Sequence, residues 1–244
     1  MIETFENFRQ IFTEVFEKNS LSRFTDEETV RKFYNFANFL AEANEKTNLT
    51  AISGVEDTVL KHFADSLIAA HMFPAGATVV DVGCGAGFPS IPLAIARPDL
   101  KITPLDSTGK KIDFVKSAAS ELGLTNLSPV CARAEDFVKE NRETFDVATA
   151  RAVSRLNVLS ELALPLVRIG GVFIAMKSKD GECELEEARR GIGTLGGSVA
   201  KTEKITLSPI SGEILERVSI LIEKKSETPT KYPRAYAKIT KSPL

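Results

Sequence analysis

Three glycines that follow a short apolar stretch give the clearest chemical signal in this chain. Thr78–Val82 is β-branched and almost wholly apolar, which predicts a parallel strand covered on both faces. Gly83, Gly85 and Gly87 then permit positive φ and carry no Cβ atom that would hold a ligand off the backbone. Such loops lie at the carboxyl edge of a doubly wound sheet, where backbone N–H groups meet a nucleotide-like ligand.

The spacing of these glycines indicates which cofactor the loop can bind. A dinucleotide fingerprint requires Gly-x-Gly-x-x-Gly, and counting from Gly83 places Phe88 in the third glycine position. The phosphate loop of ATP-binding proteins is absent too, because Pro104 and Lys111 stand where its first glycine and its hydroxyl belong. What remains is Asp-x-Gly-x-Gly-x-Gly from Asp81, which resembles motif I of the Rossmann-like S-adenosylmethionine-dependent methyltransferases.

An acidic residue after the next predicted strand supports the same cofactor. Lys101–Leu105 ends in Asp106, roughly 25 residues beyond Asp81, where a carboxylate can accept hydrogen bonds from both ribose hydroxyls. Taken singly, the glycine loop and the acid are also consistent with an ordinary turn and a solvated side chain. Together they favour a cofactor site.

Length and composition bound the class of protein. With 244 residues and 43% hydrophobic content, the chain can bury one large α/β core and a small appendage. The first residues lack the basic start and apolar stretch of a signal peptide, and no run approaches the ~20 apolar residues of a membrane span. We therefore expect a cytoplasmic protein that makes no membrane contact. Cys84, Cys131 and Cys183 have no Cys-x-x-Cys spacing, so neither a disulfide framework nor a metal site is expected.

The charge distribution limits how the chain can meet a nucleic acid. The net charge of −2 provides no global basic field, so such a contact must come from local patches, and DNA is not an expected partner. One candidate patch is Lys224–Leu244, in which five lysines and Arg234 face only Glu227, leaving a net charge of +5. A basic tail of this kind is either simply solvated or binds RNA, and its composition leaves both readings open.

In the N-terminal part of the chain, apolar residues recur with the period of an α-helix. Apolar residues at helical spacing predict a first helix: Phe5, Phe8, Phe12, Val15 and Phe16. Thr25 followed by Glu28 is a capping-box signal that predicts the start of a second helix. A third helix is expected from about Val55 to Met72. These patterns predict a helical extension over residues 1–74 that packs on the core.

From Thr78 onward, strand and helix patterns alternate, which predicts a mostly parallel twisted sheet with helices on both faces. The predicted strands are Thr78–Val82, Lys101–Leu105, Leu127–Cys131, Phe145–Ala150 and Val172–Lys177, and then Ser198–Leu207 and Arg217–Glu223 as a terminal antiparallel hairpin. The predicted helices are Pro89–Ala96, Lys110–Leu122, a short one near Asp136, Ser154–Val167 and about Glu184–Ile192. The expected fold class is α/β, with a Rossmann-like class I methyltransferase core over residues 75–225 and a basic C-terminal tail over residues 226–244.

Motifs outside the glycine loop extend the resemblance over essentially the whole chain. They are Asn48-Leu49-Thr50, Lys61-His62-x-x-Asp65-Ser66-Leu67, Ala134-Glu135, Ala150-Arg151-Ala152, and Lys231-Tyr232-Pro233-Arg234 with Pro243-Leu244. Together with the loop from Asp81 to Pro89, they resemble the RsmG (GidB) family of bacterial 16S ribosomal RNA guanine-N7 methyltransferases. Within the tail, Ala235-Tyr236-Ala237 departs from the small and basic residues of that family.

The resemblance implies transfer of a methyl group from S-adenosylmethionine to N7 of a guanine in the decoding region of 16S ribosomal RNA. It assigns Asp106 to the ribose of the cofactor, and Ala134 with Glu135 to the adenine. The full set of implied cofactor-binding residues is Gly83, Gly85, Phe88, Asp106, Ala134, Glu135 and Arg151.

The same resemblance implies how the RNA is handled. Arg151 is the implied catalytic residue, because it follows the fourth predicted strand, where methyltransferases of this fold place residues that meet the target base. The implied RNA-binding residues are Lys61, His62 and Arg151. Lys177, at the end of the fifth predicted strand, is a further candidate to neutralise phosphates or to donate to guanine O6. Guanine N7 carries a free lone pair and has no proton to lose, so His62 is not expected to act as a general base. The expected enzyme is a monomer without a metal, and its partner is 16S ribosomal RNA or the small ribosomal subunit.

Two other classes of function remain open from the residues alone. A non-catalytic RNA-binding or assembly module would explain Lys61, Arg151 and the tail, but not Asp106 and the three glycines at their spacing. An NAD-dependent oxidoreductase would share the α/β core, but Phe88 and the terminal hairpin argue against it.

Overall fold

A seven-stranded sheet organises the computed structural model, which describes residues 4–244. The strands are β1 (Thr78–Val82), β2 (Lys101–Asp106), β3 (Val130–Cys131), β4 (Phe145–Arg151), β5 (Val167–Ser178), β6 (Gly197–Leu207) and β7 (Leu215–Lys224). Their spatial order is β3-β2-β1-β4-β5-β7-β6. The first five strands pair in parallel, whereas β7 runs antiparallel to both β5 and β6. The predicted parallel sheet with a terminal antiparallel hairpin is confirmed.

The central strand β1 explains why the sheet is covered on both sides. Successive side chains of a strand point to opposite faces, and here Val79 and Val80 are both fully buried. Val79 belongs to one apolar cluster together with the N-terminal helices, and Val80 belongs to a second cluster on the other face. Helices therefore flank both faces, as a parallel sheet requires.

The helices of the chain are α1 (Phe5–Lys18), α2 (Glu27–Thr47), α3 (Val55–Thr58), α4 (Asp65–Leu67), α5 (Ser90–Ala96), α6 (Gly109–Glu121), α7 (Ala134–Asn141), α8 (Leu156–Ala163), α9 (Gly181–Thr194) and α10 (Tyr236–Lys241). Within residues 4–244, none of them combines the length and apolar character that a bilayer crossing needs. The predicted helix Ser154–Val167 is shorter, because the chain passes into a 3₁₀ turn at Leu164–Leu166, which contains Pro165, and then into β5.

The start of α2 differs from the capping box that the sequence predicts. Asp26, not Thr25, is the N-cap residue: its Oδ1 accepts a hydrogen bond of 3.0 Å from the Thr29 backbone N–H. The Thr25 hydroxyl instead donates to the carbonyl of Ser22 and closes a preceding 3₁₀ turn. The capping-box prediction was wrong by one residue because Ser, Thr and Asp all cap well, and the preceding turn decided which one did.

The third predicted helix is not regular. Between α3 and α4, residues Val59–Ala64 form a π-helical segment. A π segment has an extra residue in the helical turn, and such segments are frequent at functional sites. Lys61, His62 and Asp65 lie in or directly after this segment, so it sets which of their atoms face the end of β4.

Aromatic side chains join these N-terminal helices to the core. Phe36 of α2 contacts Phe63 and Phe88, with ring centroids 5.6 Å apart in both pairs. The helices also touch the terminal hairpin, because Asn19 donates to the Ser208 carbonyl at 2.9 Å and accepts from the Ser208 N–H at 2.8 Å. The helical extension thus contacts both the glycine loop and the far strands of the sheet.

Candidate active site

A cavity of about 220 Å³ lies at the carboxyl ends of β1 and β2. We call it the cofactor cavity. Four residues predicted from the sequence to bind the cofactor line it: Gly83, Asp106, Ala134 and Glu135. Its other lining residues are Val82, Leu105, Ser107, Thr108, Lys111, Ala132, Arg133, Val153, Leu162 and Tyr236. Residues from three separate predicted motifs therefore meet in one place.

The loop after β1 needs glycine for two different reasons. Gly83 has φ +77°, and a Cβ atom there would lie 2.7 Å from the Val153 side chain, so packing alone excludes a larger residue. Gly85 has φ +58°, and a Cβ atom there would meet no atom within 4 Å. The left-handed backbone favours glycine at both positions, but only Gly85 borders open space. Gly85 and Phe88 do not line the cofactor cavity itself.

Asp106 is held by the backbone and still has room to accept. Its Oδ2 accepts a hydrogen bond from the Gly85 N–H at 3.1 Å, and its Oδ1 accepts from the Thr108 N–H at 2.9 Å. The Lys111 Nζ lies 3.7 Å away. An ionised carboxylate has about four acceptor positions, and the two N–H groups use two of them. The remaining capacity fits the paired hydroxyls of a ribose, so this cavity suits the adenosyl part of S-adenosylmethionine.

Arg151 ends β4 inside a cluster of charges rather than at the surface. Its Nη1 donates to Asp65 Oδ2 at 2.8 Å and to the Lys61 carbonyl at 2.9 Å. Arg217 of β7 donates from Nε to the other oxygen of Asp65, Oδ1, at 2.7 Å. Burial lowers the pKa of Arg151, while the nearby Asp65 carboxylate raises it. We call these three side chains, with His62 and Phe88, the Arg151 cluster.

His62 and Phe88 form the apolar wall of this cluster. Their rings stack with centroids 4.2 Å apart and an angle of 6° between the planes, and the Arg151 guanidinium lies 5.3 Å from the centre of Phe88. Burial, and then the positive charge of Arg151, lower the pKa of His62 to about 3. His62 is therefore neutral near pH 7.

The hydrogen bonds of His62 fix which nitrogen carries its proton. The Arg151 Nη2 lies 3.4 Å from Nδ1, and a guanidinium can only donate, so Nδ1 accepts. Nε2 then carries the proton and donates to the Thr50 hydroxyl at 2.8 Å. Asn44 secures Thr50 in turn, because it accepts from the Thr50 N–H at 2.8 Å and donates to its carbonyl at 2.9 Å.

A second cavity, of about 230 Å³, lies beside the cluster and is lined by Asp65, Ile68, Arg151, Ala152, Met176, Lys177, Ser178, Arg217 and Ser219. We call it the arginine cavity. The turn after β4 lies between the two cavities: Arg151 and Ala152 line this one, whereas Val153 lines the cofactor cavity. Ala152 has φ +56°, a left-handed backbone that is uncommon for a residue other than glycine and recurs at functional sites.

The two predicted RNA-binding lysines lie apart from each other. Lys177 is buried, and its Nζ donates to the Ser154 carbonyl and pairs with Glu184, both at 2.7 Å. Lys61 is about one-third exposed and pairs with Asp57 at 2.7 Å on the outer side of its helix. Only Lys177 lines the arginine cavity.

Asp81, the first residue of the glycine motif, lies beneath the site. It is fully buried, and its Oδ2 accepts a hydrogen bond of 2.5 Å from the Ser90 hydroxyl. Its Oδ1 has no hydrogen-bond partner among residues 4–244. Burial raises the pKa of Asp81 to about 7, and the bond from Ser90 lowers it only in part.

Sequence reasoning did not identify two residues of the site. Arg217 lies in a predicted strand, but no local pattern signals that its side chain reaches Asp65, which is 152 positions earlier. Tyr236 lies in the basic tail, where it departs from the family pattern, yet it lines the cofactor cavity. Both contacts are long-range, so neither has a signature in nearby residues.

The fold of this chain is similar to that of a solved methyltransferase. The O-methyltransferase from Bacillus cereus, solved in complex with SAH, superposes with a TM-score of 0.57 at 17% sequence identity, covering 91% of this chain and 100% of that one. At this level of identity, the likeness concerns the fold. The fold, the glycine loop and the acid at the end of β2 define a class I S-adenosylmethionine-dependent methyltransferase.

Comparison of sequences identifies the family. The model of the GidB family, described as rRNA small subunit methyltransferase G, matches residues 29–208. Ribosomal RNA small subunit methyltransferase G from Staphylococcus carnosus (strain TM300) is 51% identical over 219 residues, which cover 88% of this chain and 90% of the relative. The protein of the same name from Staphylococcus aureus (strain NCTC 8325 / PS 47) is 49% identical over 217 residues, with the same two coverages. This chain belongs to the GidB family of rRNA small subunit methyltransferases.

Proposed function

We propose that this chain methylates N7 of a guanine in 16S ribosomal RNA, with S-adenosylmethionine as the methyl donor. The observation that carries the proposal is the pair of adjoining cavities at one edge of the sheet. One presents a backbone-held carboxylate, Asp106, and the other presents two guanidinium groups, Arg151 and Arg217. A sugar-recognising site next to a cationic site suits a nucleoside cofactor and an RNA substrate.

The cofactor cavity would hold the adenosyl part of the donor. Asp106 accepts hydrogen bonds from the ribose hydroxyls, and Ala134 with Glu135, at the start of α7, lies next to the adenine. Gly83, Gly85 and Phe88 border the methionine end, with Arg151 beyond them. When bound, S-adenosylmethionine supplies a methyl group on a positively charged sulfur, which is a good acceptor for a lone pair.

The residues on the RNA side are needed to align the guanine, not to transfer a proton. Guanine N7 carries a free lone pair, so no base is needed to activate it. His62 suits this requirement, because it is neutral and both of its nitrogens are engaged, by Arg151 and by Thr50. Its stacked position on Phe88 instead gives the site a rigid wall.

Arg151 and Arg217 supply the charge for RNA. Two guanidinium groups share the single carboxylate of Asp65, which leaves one uncompensated positive charge at the arginine cavity. A planar guanidinium can donate to a phosphate or to guanine O6. We propose that Lys61, on the exposed face of its helix, extends this contact, and that Lys177 positions the turn after β4 through its bond to the Ser154 carbonyl.

We also propose a partner and a cellular location for the chain. Its partner is 16S ribosomal RNA, either free or within the small ribosomal subunit, and it works in the cytoplasm, where that RNA is assembled. We also propose that it acts as a monomer. Light scattering after size exclusion tests the last point.

The decisive experiment is to identify the product. The purified chain is incubated with methyl-labelled S-adenosylmethionine and small ribosomal subunits or 16S ribosomal RNA that lack the modification. The RNA is then digested, and the labelled nucleoside is identified. We expect label in 7-methylguanosine, and about tenfold or more less label with Asp106→Ala at a donor concentration near the parent's Kd. RNA binding without methyl transfer or heat from S-adenosylhomocysteine would instead support a non-catalytic assembly module.

A further inference from the structure

The C-terminal segment, residues 226–244, folds back onto the core and is not a solvated tail. Its first turn is held by Arg142, whose Nη1 and Nη2 donate to the carbonyls of Thr228 and Tyr232 at 3.3 and 2.5 Å. The Tyr232 side chain is buried in the second apolar cluster. The predicted net positive charge of this segment therefore does not keep it in solvent.

A buried ion pair anchors the segment next. Glu161 of α8 has no exposed surface, and both of its oxygens accept hydrogen bonds from Arg234. Oε1 accepts from the Arg234 backbone N–H and from Nε, both at 2.8 Å, and Oε2 accepts from Nη2 at 2.6 Å. A planar, bidentate pair of this kind fixes direction as well as position. Arg234 is thus a structural anchor of the segment.

A third anchor follows on α10, where Ile239 is fully buried in the same apolar cluster. Tyr236 lies between the anchors at Arg234 and Ile239, so its position is constrained from both sides. Its backbone N–H donates to Glu135 Oε1 at 3.4 Å. The Arg133 guanidinium lies 5.9 Å from the centre of its ring. Both of these contacts connect the segment to the start of α7.

We propose that the C-terminal segment completes the cofactor cavity and that Tyr236 contacts the adenosine part of the bound donor. Tyr236 lines the cavity together with Asp106, Ala134 and Glu135, the residues assigned above to the ribose and the adenine. An aromatic ring offers a purine a flat apolar contact that needs no hydrogen-bond match. This inference rests on the proposed function, because it takes S-adenosylmethionine as the ligand of that cavity.

Binding of S-adenosylhomocysteine tests the contact without requiring turnover. Calorimetry should show that Tyr236→Ala binds about tenfold to a hundredfold more weakly than the parent, the range that loss of an aromatic contact to a base produces. Tyr236→Phe keeps the ring and should bind within about threefold of the parent. Lys238→Ala, an exposed change on the same segment, is the matched control and should bind like the parent.

Tyrosine fluorescence gives a second readout, which stays informative if Tyr236→Ala is poorly folded. The chain has no tryptophan and three tyrosines, so its intrinsic emission comes from Tyr34, Tyr232 and Tyr236. Addition of S-adenosylhomocysteine should change this emission in the parent and in Tyr34→Phe, and the change should be lost in Tyr236→Phe. Retention of the change in Tyr236→Phe would overturn the inference.

The calorimetric outcomes distinguish a missing Tyr236 contact from a wrong cofactor. Parent-like or tighter binding by folded Tyr236→Ala would overturn the contact while leaving the proposed function intact. Tighter binding would show that the segment obstructs the cavity. A parent protein that gives no heat with S-adenosylhomocysteine would overturn the proposed cofactor, and this inference with it.

Discussion

Asp106 and Asp65 lie at the same edge of the sheet and are equally buried, yet their surroundings differ. Each side chain is 9% exposed. Asp106 is held by two backbone N–H groups, with the Lys111 Nζ farther away at 3.7 Å, and it keeps acceptor capacity toward the cofactor cavity. Asp65 is held by two guanidinium groups, those of Arg151 and Arg217, which neutralise its charge. Burial alone therefore does not tell a ligand-binding carboxylate from one that holds cations in place; the partners do.

The difference has a physical origin. Backbone amides can orient a carboxylate without neutralising it, so the charge remains available to a ligand. A pair of arginines neutralises it and is in turn fixed in direction by it. Asp106 should therefore matter most for cofactor affinity, whereas Asp65 should matter most for the integrity of the Arg151 cluster. Three predictions test this contrast, from the largest expected effect to the smallest, and a fourth tests the protonation states of the neighbouring His62 and Asp81.

Asp65→Ala should destabilise the protein most. It leaves Arg151 and Arg217 buried without a carboxylate partner, and removing one member of a buried ion pair costs about 3–5 kcal/mol. Chemical denaturation measures the free energy of unfolding. Asp57→Ala is the control, because the Asp57–Lys61 pair lies at the surface and its loss should cost about 1 kcal/mol or less. Equal losses for both variants would contradict the structural role of Asp65.

Arg151→Ala should reduce methyl transfer far more than cofactor affinity. We expect the single-turnover rate to fall by about two orders of magnitude, as when one positioned donor is removed from an active site. Binding of S-adenosylhomocysteine should change little. Arg151→Lys should not restore the rate, since an ammonium cannot span Asp65, the Lys61 carbonyl and His62 at once.

A matched control for Arg151 lies four positions along the chain. Arg155 is an exposed arginine that pairs with Glu187 on the protein surface. Arg155→Ala should leave both the rate and the affinity close to those of the parent. Parent-like turnover by Arg151→Ala would return this arginine to a purely structural role in the cluster.

Asp106→Ala should weaken cofactor binding by one to two decades. Hydrogen bonds to a charged group contribute about 1.5–3 kcal/mol, which corresponds to that range of affinity. Calorimetry with S-adenosylhomocysteine is the measurement. Asp99, an acid at the opposite end of the same strand, accepts from the Gly76 N–H and from Arg97, and Asp99→Ala serves as the control. Unchanged affinity in folded Asp106→Ala would remove this residue from the site.

His62 and Asp81 should change the free energy of unfolding with pH in opposite directions. The pKa of His62 is lowered to about 3 in the folded state, so the unfolded chain binds more protons below the ordinary value of 6.5, and stability rises with pH. The pKa of Asp81 is raised to about 7, so the folded chain binds more protons above 3.8, and stability falls with pH. Between about pH 4.5 and 6 the two slopes oppose each other.

Single substitutions should separate these slopes. Relative to the parent, Asp81→Asn should make stability increase with pH, and His62→Gln should make it decrease, each by up to about 1.4 kcal/mol per pH unit. Denaturation of the parent and both variants at several pH values in this window is the measurement. Changes of slope of the same sign in the two variants, each measured relative to the parent, would contradict the assigned protonation states.

Local patterns were sufficient to predict much of this architecture. The strand Thr78–Val82 has the predicted bounds, because a β-branched apolar run followed by glycine can be read from neighbouring residues alone. The alternation of strands and helices, the terminal hairpin and the convergence of Gly83, Asp106, Ala134 and Glu135 on one cavity also follow. Parallel strands bring their carboxyl ends to one edge, so residues after successive strands must meet there.

Other features depended on contacts that no local pattern reports. The π segment Val59–Ala64 changes the direction in which the side chains of this helix point, although the sequence has ordinary helical periodicity there. Lys177 resembles a free cation at a strand end, but Glu184 and the Ser154 carbonyl bind it. The basic tail resembles a solvated segment, yet the burial of Ile239 and the Arg234–Glu161 pair dock it.

The sequence by itself determined the class of fold, the kind of cofactor and the edge of the sheet at which the candidate cofactor residues meet. These depend on residues close together in the chain, whose backbone preferences and periodicity act locally. Only the tertiary structure decided that Asp65 pairs with Arg151 and Arg217, and that Tyr236 lines the cofactor cavity. Those partners are far apart in sequence. They meet because packing removes water from the charged groups, and a buried charge needs a partner.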